Sequence, residues 1–170
     1  MGMIHLYTGE GKGKTTAAFG LALRNVGWGG RVLVIQFLKG IRSGELNAVE
    51  KLPNLEVKQY GTGRFIIGES ADDRDLELAR EGLEEAREAL SSGKYTLVVL
   101  DEVNVAVHLG LLEEREVIEA IKGKNPSTEV VLTGRYAPKS FHDLADYVTE
   151  FVKVKHPYDK GIGARRGIEY

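Results

Sequence analysis

The chain contains no cysteine. Disulfides, thiolate metal sites, iron–sulfur clusters and cysteine nucleophiles are therefore excluded, and the absence fits a reducing compartment. No apolar run approaches the roughly 20 residues that a membrane-spanning helix needs. The opening residues Met1 to Leu6 are too short and too little charged for a signal peptide, so the cytoplasm is the expected location. Neither charge dominates: 23 Lys and Arg stand against 25 Asp and Glu, a net of −2. General nucleic-acid binding usually needs a basic surplus, so neither nucleic acid nor membrane is an expected partner. No internal repeat and no low-complexity tract interrupts the chain.

What is present is enough for one core. Hydrophobic residues make up 42% of 170 residues, which allows a packed interior without staples and predicts a single domain over 1–170. Strand and helix patterns alternate. Ile4–Thr8 reads as a strand and Lys14–Val26 as a helix, ended by Gly27 and Gly29-Gly30. Val32–Leu38 is a continuous apolar run, the mark of a strand covered on both faces. A short helix near Leu46–Leu52, a strand at Leu55–Tyr60 and a long amphipathic helix over Asp72–Leu90 follow. Thr96–Leu100 and Glu129–Thr133 are two more buried strands, separated by a helix over Glu113–Lys122. A short helix near Phe141–Ala145 leads to a last strand over Tyr147–Val154. The pattern predicts an α/β fold with a mostly parallel sheet and helices on both faces, whose ligands bind beyond the carboxyl ends of the strands.

The chemistry-bearing residues fall at those ends. Directly after the first strand runs Thr8-Gly9-Glu10-Gly11-Lys12-Gly13-Lys14-Thr15-Thr16, which opens the first helix. Strand, glycine-rich turn and helix make a P-loop. Glycines let backbone N–H groups converge on phosphate oxygens, and the helix N-terminus adds its positive dipole end. Lys14 supplies a mobile charge, and the Thr15 hydroxyl suits Mg²⁺. Thr8 stands where the usual pattern has its first glycine, so the loop is expected to differ in shape at its start.

The buried strand Val98-Val99-Leu100 ends in Asp101-Glu102. Two carboxylates beside a triphosphate call for a divalent cation, Mg²⁺ or Mn²⁺, and either residue can serve as its ligand. The plain alternative is a pair of solvated acids starting the next helix. Arg135, after Thr133-Gly134, is expected to reach the triphosphate or a substrate carboxamide. Lys39 and Glu45 follow the second strand. Arg24 lies beside the apolar stripe of the first helix. Arg64 and Phe65 follow Gly61-Thr62-Gly63 and are placed to line a substrate cleft. His5 reads as structural, and the Asp72–Glu88 charge run as a solvated helix face. No His–carboxylate–nucleophile triad is visible.

The set of motifs resembles the ATP:corrinoid adenosyltransferases. The resemblance runs through Tyr7–Gly20, Val34–Gly40, Leu100–Glu102, Thr133–Arg135, Asp143–Asp146, Val154–Gly161 and Gly167–Tyr170, in order along the whole chain. It implies a RecA-like P-loop fold, a homodimer, and transfer of the 5′-deoxyadenosyl group of ATP to the Co(I) of a corrinoid, with release of triphosphate. ATP would lie reversed in the loop relative to ordinary P-loop hydrolases. Gly9, Glu10, Gly11, Lys12, Gly13, Lys14, Thr15 and Thr16, with Arg24 and Arg135, would bind ATP. Thr15 and Glu102, with Asp101, would hold the metal; Lys14, Thr15 and Glu102 carry the catalytic expectation. Lys39, Glu45, Arg64, Phe65 and Ile66 are the corrinoid candidates.

Co(I) is itself the nucleophile, so no triad is needed. With no cysteine and no flavin motif, an external reductase or reduced flavin is expected to supply Co(I). Family members can carry a segment ahead of the first strand that covers the corrinoid; here the first strand begins almost at Met1. Family members can also use two aromatics after the Thr-Gly of the third-strand loop, whereas Thr62-Gly63 is followed by Arg64, Phe65 and Ile66. Two other classes remain open: a phosphotransferase or ATPase using Asp101 or Glu102 as base, and a non-catalytic module that binds nucleotide or escorts corrinoid.

Overall fold

The computed structural model describes residues 1–64 and 71–170. Six strands among them, β1 (Ile4–Thr8), β2 (Val32–Phe37), β3 (Leu55–Tyr60), β4 (Leu97–Asp101), β5 (Glu129–Thr133) and β6 (Tyr147–Glu150), form one sheet in the order β3-β2-β4-β5-β1-β6. All neighbouring pairs are parallel. Six α-helices connect them: α1 (Lys14–Gly27), α2 (Gly44–Val49), α3 (Asp73–Ser91), α4 (Val103–His108), α5 (Glu114–Lys122) and α6 (Lys139–Leu144).

Strand residues alternate between two cores, as a period of two requires when both faces are covered. Val32, Val34, Leu97, Val99 and Val131 face α1, where Ala18 and Ala22 let the helix approach closely. Leu33, Ile35, Phe37, Val98, Leu100, Val130 and Leu132 face the side packed by α3, α4, α5 and α6. Parallel pairing sends every strand's carboxyl end to the same edge. The loops after β1, β2, β4 and β5 therefore gather there.

Several elements differ from the sequence reading for identifiable reasons. β2 stops at Phe37 because Leu38 takes a left-handed backbone (φ 64). β6 stops at Glu150 rather than Val154, because its ladder partner, β1, ends at Thr8. The chain between Glu102 and Glu113 contains α4, a six-residue helix too short to show a periodic stripe. The long helix starts one residue later than expected, with Asp72 as its cap. The Asp72 carboxylate accepts from the N–H groups of Arg74 and Asp75, and the Asp75 carboxylate returns a bond to the Asp72 N–H.

Gly82 sits in mid-helix, where glycine is about 1 kcal/mol worse than alanine. Its reason is contact: a Cβ there would lie 2.9 Å from Phe37 Cε1 and 3.0 Å from Tyr60 Cβ. Phe37 is fully buried and held on all sides. Gly82→Ala is therefore expected to lower stability in urea unfolding by about 1–3 kcal/mol. A gain near the propensity value would show instead that the two rings can move away.

Candidate active site

Thr8 is the last residue of β1 and is not among the residues with positive φ, so extended backbone that any residue adopts suffices at the first position of the loop. The left-handed turn comes one residue later, at Gly9 (φ 98), and again at Gly13 (φ 116), the cap of α1. A Cβ on Gly9 or on Gly11 would lie 2.6 Å from the Phe151 carbonyl oxygen. The chain leaving β6 thus lies against the loop from outside, and Gly11 donates its N–H to Phe151. That amide is already committed to a protein carbonyl. No side chain caps the first turn of α1, so its N–H groups remain open to an anion.

Lys14 folds back into the loop, its Nζ donating to the carbonyls of Gly9 and Gly11 at 2.7 Å each. Desolvation lowers its pKa, and Arg135 adds to the lowering, against the attraction of Glu102, Glu10 and Asp101. A phosphate oxygen is a stronger partner for this ammonium than two neutral carbonyls.

Asp101 ends β4 with no exposed surface. Its Oδ1 accepts from Thr15 Oγ1 and Thr133 Oγ1, both at 2.7 Å. Its Oδ2 accepts from Gln36 Nε2 at 3.0 Å and from Lys39 Nζ at 2.9 Å. A carboxylate offers about four lone-pair sites, and protein donors fill all of them. Next to it Glu102 has a left-handed backbone (φ 64) and donates its N–H to Thr133 Oγ1 at 2.9 Å. Burial first, and the Asp101 charge second, raise the Glu102 pKa; Lys39, Lys14 and Arg135 oppose the rise. The acids are therefore not equivalent. Asp101 is saturated and orients Thr15, while the Glu102 carboxylate has no hydrogen-bond donor among the described residues.

The remaining candidates divide. Arg135 approaches Glu10 of the loop at 3.4 Å and packs over the Tyr136 ring. Lys12 points outward, onto Glu169 Oε1 at 2.8 Å and the Ile168 carbonyl at 3.2 Å. Thr16 is exposed in the first turn of α1, and Arg24 is exposed about 12 Å further along that helix by its rise. Glu45 lies in the first turn of α2. Arg64 is engaged structurally, on Asp72 Oδ2 at 2.6 Å and Asp75 Oδ2 at 2.9 Å. Asp75 is only 3% exposed and also accepts from Thr62 Oγ1, which corrects the reading of the whole charge run as a solvated face. Phe65 and Ile66 lie outside the described residues. His5 pairs with Glu129 at 2.6 Å near the amino-terminal edge of the sheet, away from the loop.

Sequence reasoning passed over Gln36, Thr133 and Asn104. Gln36 and Thr133 serve Asp101; buried Asn104 ties α4 to the β5 loop by donating to the Gly134 carbonyl at 2.9 Å. Polar residues inside or just after a buried apolar strand were the available signal.

The sequence model of the family described as ATP:corrinoid adenosyltransferase BtuR/CobO/CobP matches residues 1–170. The chain belongs to that family. A corrinoid adenosyltransferase of Sinorhizobium is 37% identical over 172 residues, which covers 99% of this chain and 80% of the relative. Those of Escherichia coli K12 and Pseudomonas aeruginosa are 38% and 37% identical, each covering 99% of this chain and 86% and 84% of the relatives. Within this family's chain, the loop, the acidic strand end and the Thr133 turn are brought to one sheet edge.

Two expectations follow from the electrostatics. A raised Glu102 pKa means that the folded chain holds this proton more tightly than the unfolded chain, so stability falls as pH rises above 4.5 and the carboxyl ionises. In metal-free buffer, Glu102→Gln should be more stable than the parent at neutral pH, with the difference vanishing below pH 4.5; equal stability at every pH would contradict this. Glu169 behaves oppositely: Arg165 first, then Lys12, hold its pKa down from 4.5 to about 2. Its contacts are fully formed above 4.5 and are lost as pH falls through about 2. At neutral pH, Glu169→Gln should release the tail from Lys12 and speed its digestion by carboxypeptidase; unchanged digestion would show that the tail is held elsewhere.

Proposed function

We propose that residues 1–170 act as one RecA-like P-loop domain that adenosylates corrinoids with ATP. The observation that carries the reading is the link from Thr15 through Asp101 to Thr133. It sets the phosphate loop, the acidic strand end and the Arg135 turn around one space. The RecA-like assignment is supported by the sheet order, in which β5 separates the loop strand β1 from the acidic strand β4.

In the reaction, the Co(I) electron pair forms a Co–C5′ bond. The C5′–O5′ bond breaks, and its pair leaves on the triphosphate oxygen. No general base is required. The protein must align cobalt with C5′ and stabilise the departing charge. We assign the second task to Lys14 and the open N–H groups of the first α1 turn, with Arg135 at the rim. Desolvation strengthens Lys14 in this role, because a charge in a drier site interacts more strongly.

The donor set fits a small hard dication. The Thr15 hydroxyl and the Glu102 carboxylate, which has no donor among the described residues, are oxygen ligands, and Asp101 stays bound to Thr15 and orients it. Mg²⁺ held there would supply charge stabilisation on the triphosphate. We place the corrinoid beyond the same edge, beside Thr62-Gly63. Co(I) comes from an external reductase or reduced flavin. A homodimer and a cytoplasmic setting complete the reading. No described helix is long and apolar enough to cross a membrane.

The test is anaerobic incubation with MgATP and chemically reduced cob(I)alamin in the dark. Appearance of a light-sensitive alkyl-corrin spectrum is expected. Lys14→Ala should slow its formation by roughly 10²–10³-fold, the usual loss on removing one donor to a developing anion. An inert wild-type chain that binds both ligands would favour the escort reading. A Lys14→Ala variant as fast as the parent would remove the loop from the chemistry.

A further inference from the structure

The turn after β2 adopts a backbone that its own sequence disfavours. Leu38 sits at φ 64, a region that residues with a Cβ seldom enter. Its surroundings impose the conformation. Leu38 donates its N–H to the Tyr60 carbonyl at 3.1 Å. The backbone of Leu38–Gly40 lies flush on that of Gly61–Gly63. A Cβ on Gly61 would meet the Leu38 carbonyl carbon at 2.3 Å, and one on Gly40 would meet the Gly61 oxygen at 2.3 Å. Strain held in place by such packing concentrates at functional sites. Here its effect is to carry Lys39 back over the end of the sheet, where Nζ reaches Asp101 Oδ2 at 2.9 Å.

Of the four donors on Asp101, three are fixed. Gln36 and Thr133 are fully buried, and Thr15 is part of the first turn of α1. Lys39 alone of the four has a long side chain that keeps contact with solvent, being 34% exposed. It can leave without orphaning its partner, because Gln36 still donates to the same Oδ2. The other cations at the loop are differently held. Lys12 is tied to Glu169 on the outside and Arg135 to Glu10 at the rim, while Lys14 rests on carbonyls within the loop. A polyphosphate entering the loop brings several negative charges, and the Lys39 ammonium rests on the same carboxylate that holds Thr15.

We propose that Lys39 is a second phosphate-binding lysine, which rests on Asp101 and transfers its ammonium to the triphosphate when nucleotide enters the loop. This rests on the reading of residues 8–15 as the triphosphate site. It moves Lys39 from the corrinoid side, where the sequence alone suggested it, to the nucleotide side. The Asp101–Thr15 bond is the reason, since one carboxylate holds both Lys39 and the loop threonine.

The experiment measures binding to the full chain by calorimetry, with inorganic tripolyphosphate and with cob(II)alamin as separate probes, for the parent and for Lys39→Met. Methionine keeps the stem length and removes the charge. The expected result is a tenfold or greater loss of tripolyphosphate affinity, a shallower salt dependence, and unchanged corrin affinity. Unchanged tripolyphosphate affinity overturns the proposal, whether or not corrin binding weakens. If Lys39→Met does not fold, the parent chain decides by NMR. Tripolyphosphate should shift the Lys39 Nζ resonance, and a resonance unmoved at saturation overturns the proposal. Neither readout needs turnover. A parent chain that binds tripolyphosphate through Lys39 but forms no adenosyl-corrin would refute the proposed function and leave Lys39 standing.

Discussion

The Asp101 carboxylate has no contact with solvent and receives hydrogen bonds from α1, from β2, from the turn after β2 and from β5. A buried carboxylate is tolerated only where donors replace the water it has lost. The sheet order makes that possible, because β4 lies between β2 and β5, and each neighbour offers a polar residue at its carboxyl end. Thr15 arrives from the loop after β1, two strands away. The Thr15 bond to Asp101 fixes the distance between the phosphate loop and the acidic strand end. Glu102 inherits its position from this arrangement: its N–H is bound to Thr133, and its carboxylate is left with burial and no donor among the described residues.

The second constraint is backbone contact at the loop. Gly9 and Gly11 admit the Phe151 carbonyl at a distance that a side chain would forbid, and Gly11 gives up its amide to that carbonyl. The loop is therefore shaped from two sides. Lys14 fills it from within, and the chain leaving β6 supports it from without. Residues 165–169 extend the support, since Glu169 gathers Arg165 and Lys12 into one exposed cluster. A segment with little periodic pattern is thus tied to the functional centre by charge.

How much of this was legible in the sequence depends on whether the signal is local. The glycine-rich turn, the strands Ile4–Thr8, Leu55–Tyr60 and Glu129–Thr133, and the acidic pair after a buried strand are all written in consecutive residues. Gln36 and Thr133 acquire meaning only when β2, β4 and β5 lie side by side, and Phe151 only when β6 is cut short by the end of β1. The contacts of Arg64 were hidden for a related reason. Its position after Gly61-Thr62-Gly63 suggested a cleft, and the Asp72 cap and the buried Asp75 additionally make its guanidinium a clasp for the start of α3. The departure at Thr8 resolved simply: strand backbone needs no glycine.

The central claim is that the loop holds a triphosphate as the leaving group of an alkyl transfer. Phosphorus NMR of a reaction with reduced cob(I)alamin and MgATP tests it most directly. The account predicts inorganic triphosphate accumulating in step with adenosyl-corrin and no ADP. ADP and orthophosphate without adenosyl-corrin would contradict it and assign Glu102 to a phosphoryl-transfer reaction instead.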